Sequence, residues 1–118
     1  MILADTSVWI DHFRRGNALL GDLLDNGEIC CHPFVIGELA CSNLNNRTDI
    51  LLLLEKLPQT GTATDKEVLF YIGEHQLMGR GIGYIDAHLL AASTLSAPTR
   101  LWTLDKRLAA VAEELSGL

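Results

Sequence analysis

No part of this chain stays apolar for long. The longest uninterrupted aliphatic run, Ile50 to Leu54, falls far short of the ~20 residues that a helix needs to cross a bilayer, so no membrane span is expected. The N-terminus shows neither a basic segment ahead of an apolar one nor a small-residue cleavage site, which predicts no signal peptide and a cytoplasmic location. Cysteine is scarce and poorly spaced for chemistry. Cys30, Cys31 and Cys41 form no C-x-x-C pair, which argues against redox and zinc motifs and predicts reduced, buried thiols. His12, His32, His75 and His88 lack the H-x-x-x-H spacing of a zinc helix. The glycines of Gly79-Arg80-Gly81-Ile82-Gly83 follow no strand, so they predict a conformational loop and not a dinucleotide fingerprint.

Basic charge is also in short supply. Fifteen acids against nine bases give a formal charge of −6, which at first argues against a polyanionic partner. If four of those acids bind metal, eleven remain against nine, and bound divalent cations would shift the local field toward positive. The charge therefore hides its meaning until the acids are placed.

With 118 residues, 48% of them hydrophobic, residues 1–118 are expected to form one domain with a core that needs no disulfide or structural metal. Strand-like and helical patterns alternate along its length. Met1 to Ala4 predicts a strand, Thr6 to Phe13 a helix closed by Arg14-Arg15-Gly16, and Asn17 to Asn26 a second helix. Glu28 to His32 predicts a strand, with Pro33 opening a helix that fades near Asn43. Thr48 to Leu57 predicts a helix whose leucines imply burial on several sides. Gln59 to Ala63 is a candidate short strand, and Thr64-Asp65-Lys66-Glu67 has capping-box form. Tyr84 to Leu95 predicts a helix, Arg100 to Leu104 a strand and Lys106 to Leu115 the last helix. The crossovers are long enough for parallel pairing, so the expected architecture is an α/β/α three-layer sandwich around a four- or five-stranded parallel sheet.

On that plan four acids occupy converging places. Asp5 ends the first strand, Asp105 ends the last, Asp86 lies in the first turn of a helix, and Glu38 is one turn into the helix after the second strand. Ligand chemistry gathers at the carboxyl ends of parallel strands, and clustered carboxylates repel one another unless a cation relieves them. All-oxygen ligands select hard ions, Mg²⁺ or Mn²⁺, and suit phosphoryl chemistry. Asp5, Asp86 and Asp105 equally have the positions of helix caps. Glu38 lies within the apolar stretch Phe34 to Ala40, where an unpaired carboxylate would need a partner.

The segments Ala4-Asp5-Thr6-Ser7-Val8-Trp9-Ile10-Asp11, Glu38-Leu39, Asp86-Ala87-His88-Leu89-Leu90-Ala91-Ala92 and Trp102-Thr103-Leu104-Asp105-Lys106-Arg107-Leu108 resemble the PIN-domain ribonucleases, and more narrowly the VapC toxins of toxin–antitoxin pairs. The resemblance implies metal-dependent RNA cleavage, with Asp5, Glu38, Asp86 and Asp105 as catalytic, metal-binding acids and Ser7 and Thr103 as supporting polar residues. It also implies a cognate antitoxin as partner and a homodimer. Arg14, Arg15, Arg80, Lys106 and Arg107 are candidate RNA phosphate contacts. Trp9, Phe13, Leu19, Leu20, Leu23 and Leu24 are either core or a groove for the antitoxin tail. A receiver domain of a signalling pair is the competing class, but it requires a phospho-accepting Asp on a central strand and a late-strand Lys. Glu55 lies in a helix and Lys106 follows Asp105 into another. A catalytically silent PIN-like binding module is the other alternative, against which the four acids argue.

Overall fold

A computed structural model describes residues 1–116. Its centre is β1 (Ile2–Ala4), flanked by β2 (Ile29–Cys30) and β3 (Arg100–Trp102) in the order β2-β1-β3. Both pairings are parallel, with Ile2 opposite Ile29 on one side and Arg100 on the other. Parallel neighbours cannot be joined by a tight turn, so helices fill every connection. They are α1 (Thr6–Arg15) and α2 (Ala18–Asp25), then α3 (Pro33–Ala40), α4 (Arg47–Lys56), α5 (Asp65–Glu74) and α6 (Tyr84–Leu95), with α7 (Lys106–Leu115) after β3. The α/β/α plan is as expected.

The sheet is narrower than four or five strands: three are formed among the described residues. The segment expected to make another, Gln59 to Ala63, contributes a single parallel bridge from Gln59 to Cys31. There the Cys31 N–H donates to the Pro58 carbonyl at 2.8 Å and the Thr60 N–H to the Cys31 carbonyl at 2.9 Å. Pro58 has no N–H to extend the ladder, and Gly61 offers no side chain to pack, so pairing stops there.

The main core joins β1 and β2 to α1 through α4, with Leu3, Val8, Trp9, Leu20, Ile29, Leu39 and Leu54 fully buried. Trp9 and Leu20 are thus core, and of the proposed antitoxin-groove residues only Leu19 is exposed, with Phe13, Leu23 and Leu24 half-buried. A second cluster around Leu90, Leu108 and Val111 ties α6 to α7. α6 is buried at every residue from Ala87 to Ser93, because its alanines let neighbours approach on all sides. The expectation that α4 is buried on several sides is not met. Leu54 faces the core while Leu52 and Leu53 stand about half exposed, since α4 packs chiefly on α3. Cys30 and Cys31 are buried free thiols, whereas Cys41 is free but exposed. Burial pushes the Cys31 thiol up to about 11, which leaves it inert at neutral pH.

Candidate active site

Because all three strands run the same way, their carboxyl ends share one edge of the sheet, and the residues that follow them meet there. Asp5 leaves β1 as the N-cap of α1, its Oδ1 accepting from the Val8 N–H and the Ser7 hydroxyl. Asp105 follows β3 as the N-cap of α7, its Oδ1 accepting from the N–H groups of Arg107 at 2.9 Å and Leu108 at 3.0 Å. Asp86 sits in the first turn of α6, where its Oδ2 accepts from the Gly83 N–H at 2.9 Å. Each aspartate is therefore a helix cap, as its position allows. Each does so through one oxygen, and the other has no protein donor among the described residues. Capping and ligation do not compete here: the cap uses one oxygen while the second stays available.

The Asp86 carboxyl lies within reach of the charges of the other two aspartates. Burial raises the Asp86 carboxyl above its ordinary range, the Gly83 hydrogen bond lowers it, and the charges of Asp5 and Asp105 raise it further. Asp5 itself is buried. Glu38 differs from expectation. It is exposed, because Val35 and Leu39 take the core side of α3, so the argument from burial cost does not apply. Its partner is the Thr6 hydroxyl, which donates to Glu38 Oε1 at 2.8 Å. This contact ties α1 to α3, and Thr6 is a residue that sequence reasoning treated only as helix. Its adjacency to Asp5 was the available signal.

Ser7 and Thr103 are central to the arrangement. The Ser7 hydroxyl donates to Asp5 Oδ1 and accepts from the Leu104 N–H at 3.0 Å, with Thr103 Oγ1 at 3.4 Å. Thr103 Oγ1 in turn accepts from the Asp105 N–H at 3.1 Å. Two hydroxyls thereby link the end of β1 to the end of β3 and hold Asp5 and Asp105 in register.

The donor set fits a hard divalent cation: four carboxylates, each with an uncommitted oxygen and no cation paired to any of them among the described residues. As the side chains stand, no three His, Cys, Asp or Glu of the described residues are close enough to hold an ion together. Binding by three or more of them therefore requires the side chains to move toward one another. The free carboxylate oxygens resist this in the absence of a cation.

Of the basic candidates, Arg15 is paired with Asp11 at 2.6 Å, and Arg80 is paired in bidentate fashion with Glu114 at 2.9 and 3.0 Å. Arg14, Lys106 and Arg107 are exposed and form no ion pair among the described residues.

The chain is 48% identical to Ribonuclease VapC32 of Mycobacterium tuberculosis, in both strain CDC 1551 / Oshkosh and strain ATCC 25618 / H37Rv, over 97% of this chain and 92% of that protein. The crystal structure of PAE2754 from Pyrobaculum aerophilum superposes with a TM-score of 0.61 at 16% identity, covering 99% of this chain and 90% of that one; at that identity it speaks for the fold alone. The PIN domain family matches residues 2–114, nearly the full length, and the chain belongs to that family.

Proposed function

We propose that this PIN domain is a Mg²⁺- or Mn²⁺-dependent endoribonuclease of the VapC type, the toxin of a toxin–antitoxin pair, acting in the cytoplasm. The observation that supports it most strongly is that Asp5, Asp86 and Asp105, at three helix starts, each spend one oxygen on a backbone N–H and keep the other free of protein donors among the described residues, with the Asp86 carboxyl raised by burial and by the charges of Asp5 and Asp105. Carboxylates near one another and without a paired cation mark a functional site, and a divalent cation is the simplest partner for them. The similarity to Ribonuclease VapC32 supports the same reading.

In this reading Asp5, Asp86, Asp105 and Glu38 would hold the cation, each having an oxygen without a protein donor among the described residues. A bound divalent ion supplies charge neutralisation at the scissile phosphate and a water of lowered pKa. Ser7 fixes the Asp5 carboxylate, and Thr103 fixes the backbone of Asp105, so that the ligands are set before RNA arrives. Water, and not the ribose 2′-OH, is the nucleophile, which gives products with a 5′-phosphate and a 3′-hydroxyl. No side chain is modified.

The partners follow from the same reading: a cognate antitoxin, and a second copy of the chain in a homodimer. Leu52 and Leu53 on α4, Leu69 and Phe70 on α5, and Leu95 on α6 are all half-exposed or more, apolar side chains that protein contacts could cover. No helix among the described residues is long and apolar enough to cross a membrane. The function is tested by incubating purified protein with RNA in Mg²⁺, Mn²⁺ or chelator and sequencing the new 5′ ends. Metal-dependent cleavage leaving 5′-phosphates supports it, and cleavage unaffected by chelator, or leaving 2′,3′-cyclic phosphates, contradicts it.

A further inference from the structure

An acidic site must still attract a polyanion, and two of the five basic candidates are committed elsewhere. Arg15 and Arg80 are neutralised by Asp11 and Glu114. Arg107 is not. Its backbone N–H caps Asp105 Oδ1 at 2.9 Å, which places it at the start of α7 beside one acid. Its side chain reaches across to Gly81, two residues before the Gly83 N–H that binds Asp86. The side chain therefore rests against the loop that leads into α6 and pairs to no carboxylate among the described residues.

Gly81 is what makes this position possible. A Cβ there would stand 2.7 Å from both Arg107 Cδ and Nη1 and 3.2 Å from Nε. The arginine lies flat on the glycine backbone, and any side chain at position 81 would push it off. Gly81 also has φ +80, in the left-handed region that favours glycine.

Building on the ribonuclease reading, we propose that Arg107 is a substrate-binding residue that grips the RNA phosphate next to the scissile one, and that Gly81 is the positioning residue that holds it there. A guanidinium offers five donors in a planar fork suited to phosphate oxygens. Held at the rim of the acids, it offsets their repulsion of the incoming strand at the phosphate where that repulsion is felt.

The test uses the full chain with a short single-stranded RNA. Arg107→Ala should raise KM about tenfold with kcat within about twofold, and should reduce the slope of log affinity against log salt by about 0.7, the loss of one phosphate contact. Gly81→Ala should reproduce both effects by displacing the arginine, and Gly81→Ala combined with Arg107→Ala should be no worse than Arg107→Ala alone. Gly79→Ala is the matched control. Gly79 has φ +72 but nothing within 4 Å of a Cβ, so it adds the same backbone strain without touching Arg107, and its KM and salt slope should match wild type. Affinities are measured in the Asp5→Asn background, where RNA survives the measurement. Unchanged KM and salt slope in Arg107→Ala overturn the proposal, as does a Gly81→Ala defect equalled by Gly79→Ala. Cleavage by Asp5→Asn at the wild-type rate would instead overturn the ribonuclease site itself, and the affinity data would still decide on Arg107.

Discussion

Removing the Ser7 hydroxyl tests how the two strand ends are held together. In Ser7→Ala, Asp5 Oδ1 loses its side-chain donor and the Leu104 N–H loses its acceptor. A neutral hydrogen bond contributes about 1 kcal/mol net, and one to a charged group about 1.5–3 kcal/mol. The site is only partly buried, so water recovers some of this, and the expected destabilisation is about 2–3 kcal/mol. In a domain of this size that lowers Tm by roughly 8–12 °C. The carboxylate it orients also becomes free to rotate, and loss of a ligand's supporting hydrogen bond typically reduces metal affinity or activity about 10–100-fold. Differential scanning calorimetry and RNA cleavage on one preparation measure both effects. Ser7→Thr keeps the hydroxyl and should recover most of each. A Ser7→Ala protein that melts within about 2 °C of wild type and cleaves at full rate would refute the claim that this hydroxyl organises the site.

Other substitutions separate capping from ligation. Asp105→Asn keeps the oxygen that caps α7, so it should abolish cleavage with little loss of stability, whereas Asp105→Ala should also lose about 1 kcal/mol of capping energy, measured by urea unfolding. Glu38→Gln retains an acceptor for Thr6 but should reduce cleavage at least about 10-fold; an unchanged rate would remove Glu38 from the ligand set. Mg²⁺ or Mn²⁺ should raise Tm progressively, by about 2.7 kcal/mol of stabilisation at a hundredfold excess over Kd, with Zn²⁺ supporting less activity; calorimetric titration that detects no binding would count against the site. Burial and the neighbouring His88 push His32 down to about 4 from 6.5. Its stabilising contribution is therefore present above pH 6.5 and lost as pH falls toward 4, a decline of roughly 1–3 kcal/mol that His32→Asn should flatten in denaturation curves at stepped pH.

The order of elements was readable from the chain because its signals are local. Asp5, Thr64 and Asp105 cap the helices that their positions suggested, and α6 and α7 have their expected limits. What depends on tertiary contact was less readable. The leucines of α4 have the same composition whether one face or several are covered, and the structure covers one. Glu38 lies in an apolar stretch by sequence, but the helical period turns it toward solvent and Thr6. The four acids could be named from order and spacing, yet their second role could not. Whether an aspartate at a helix start is a cap or a ligand is undecided in sequence. The structure shows each cap using one oxygen and leaving the other uncommitted. The placing of Arg107 on Gly81 joins residues far apart in the chain and has no local signature.

The central claim is that the fold holds these acids together for a cation, against its own stability. Asp86→Asn tests it most directly, because asparagine keeps an oxygen to accept from the Gly83 N–H while removing a charge that Asp5 and Asp105 oppose. Melting temperature in metal-free buffer and Mn²⁺-dependent RNA cleavage are measured on the same protein. The account predicts a higher Tm than wild type together with loss of cleavage. An Asp86→Asn protein that cleaves RNA at the wild-type rate would contradict it.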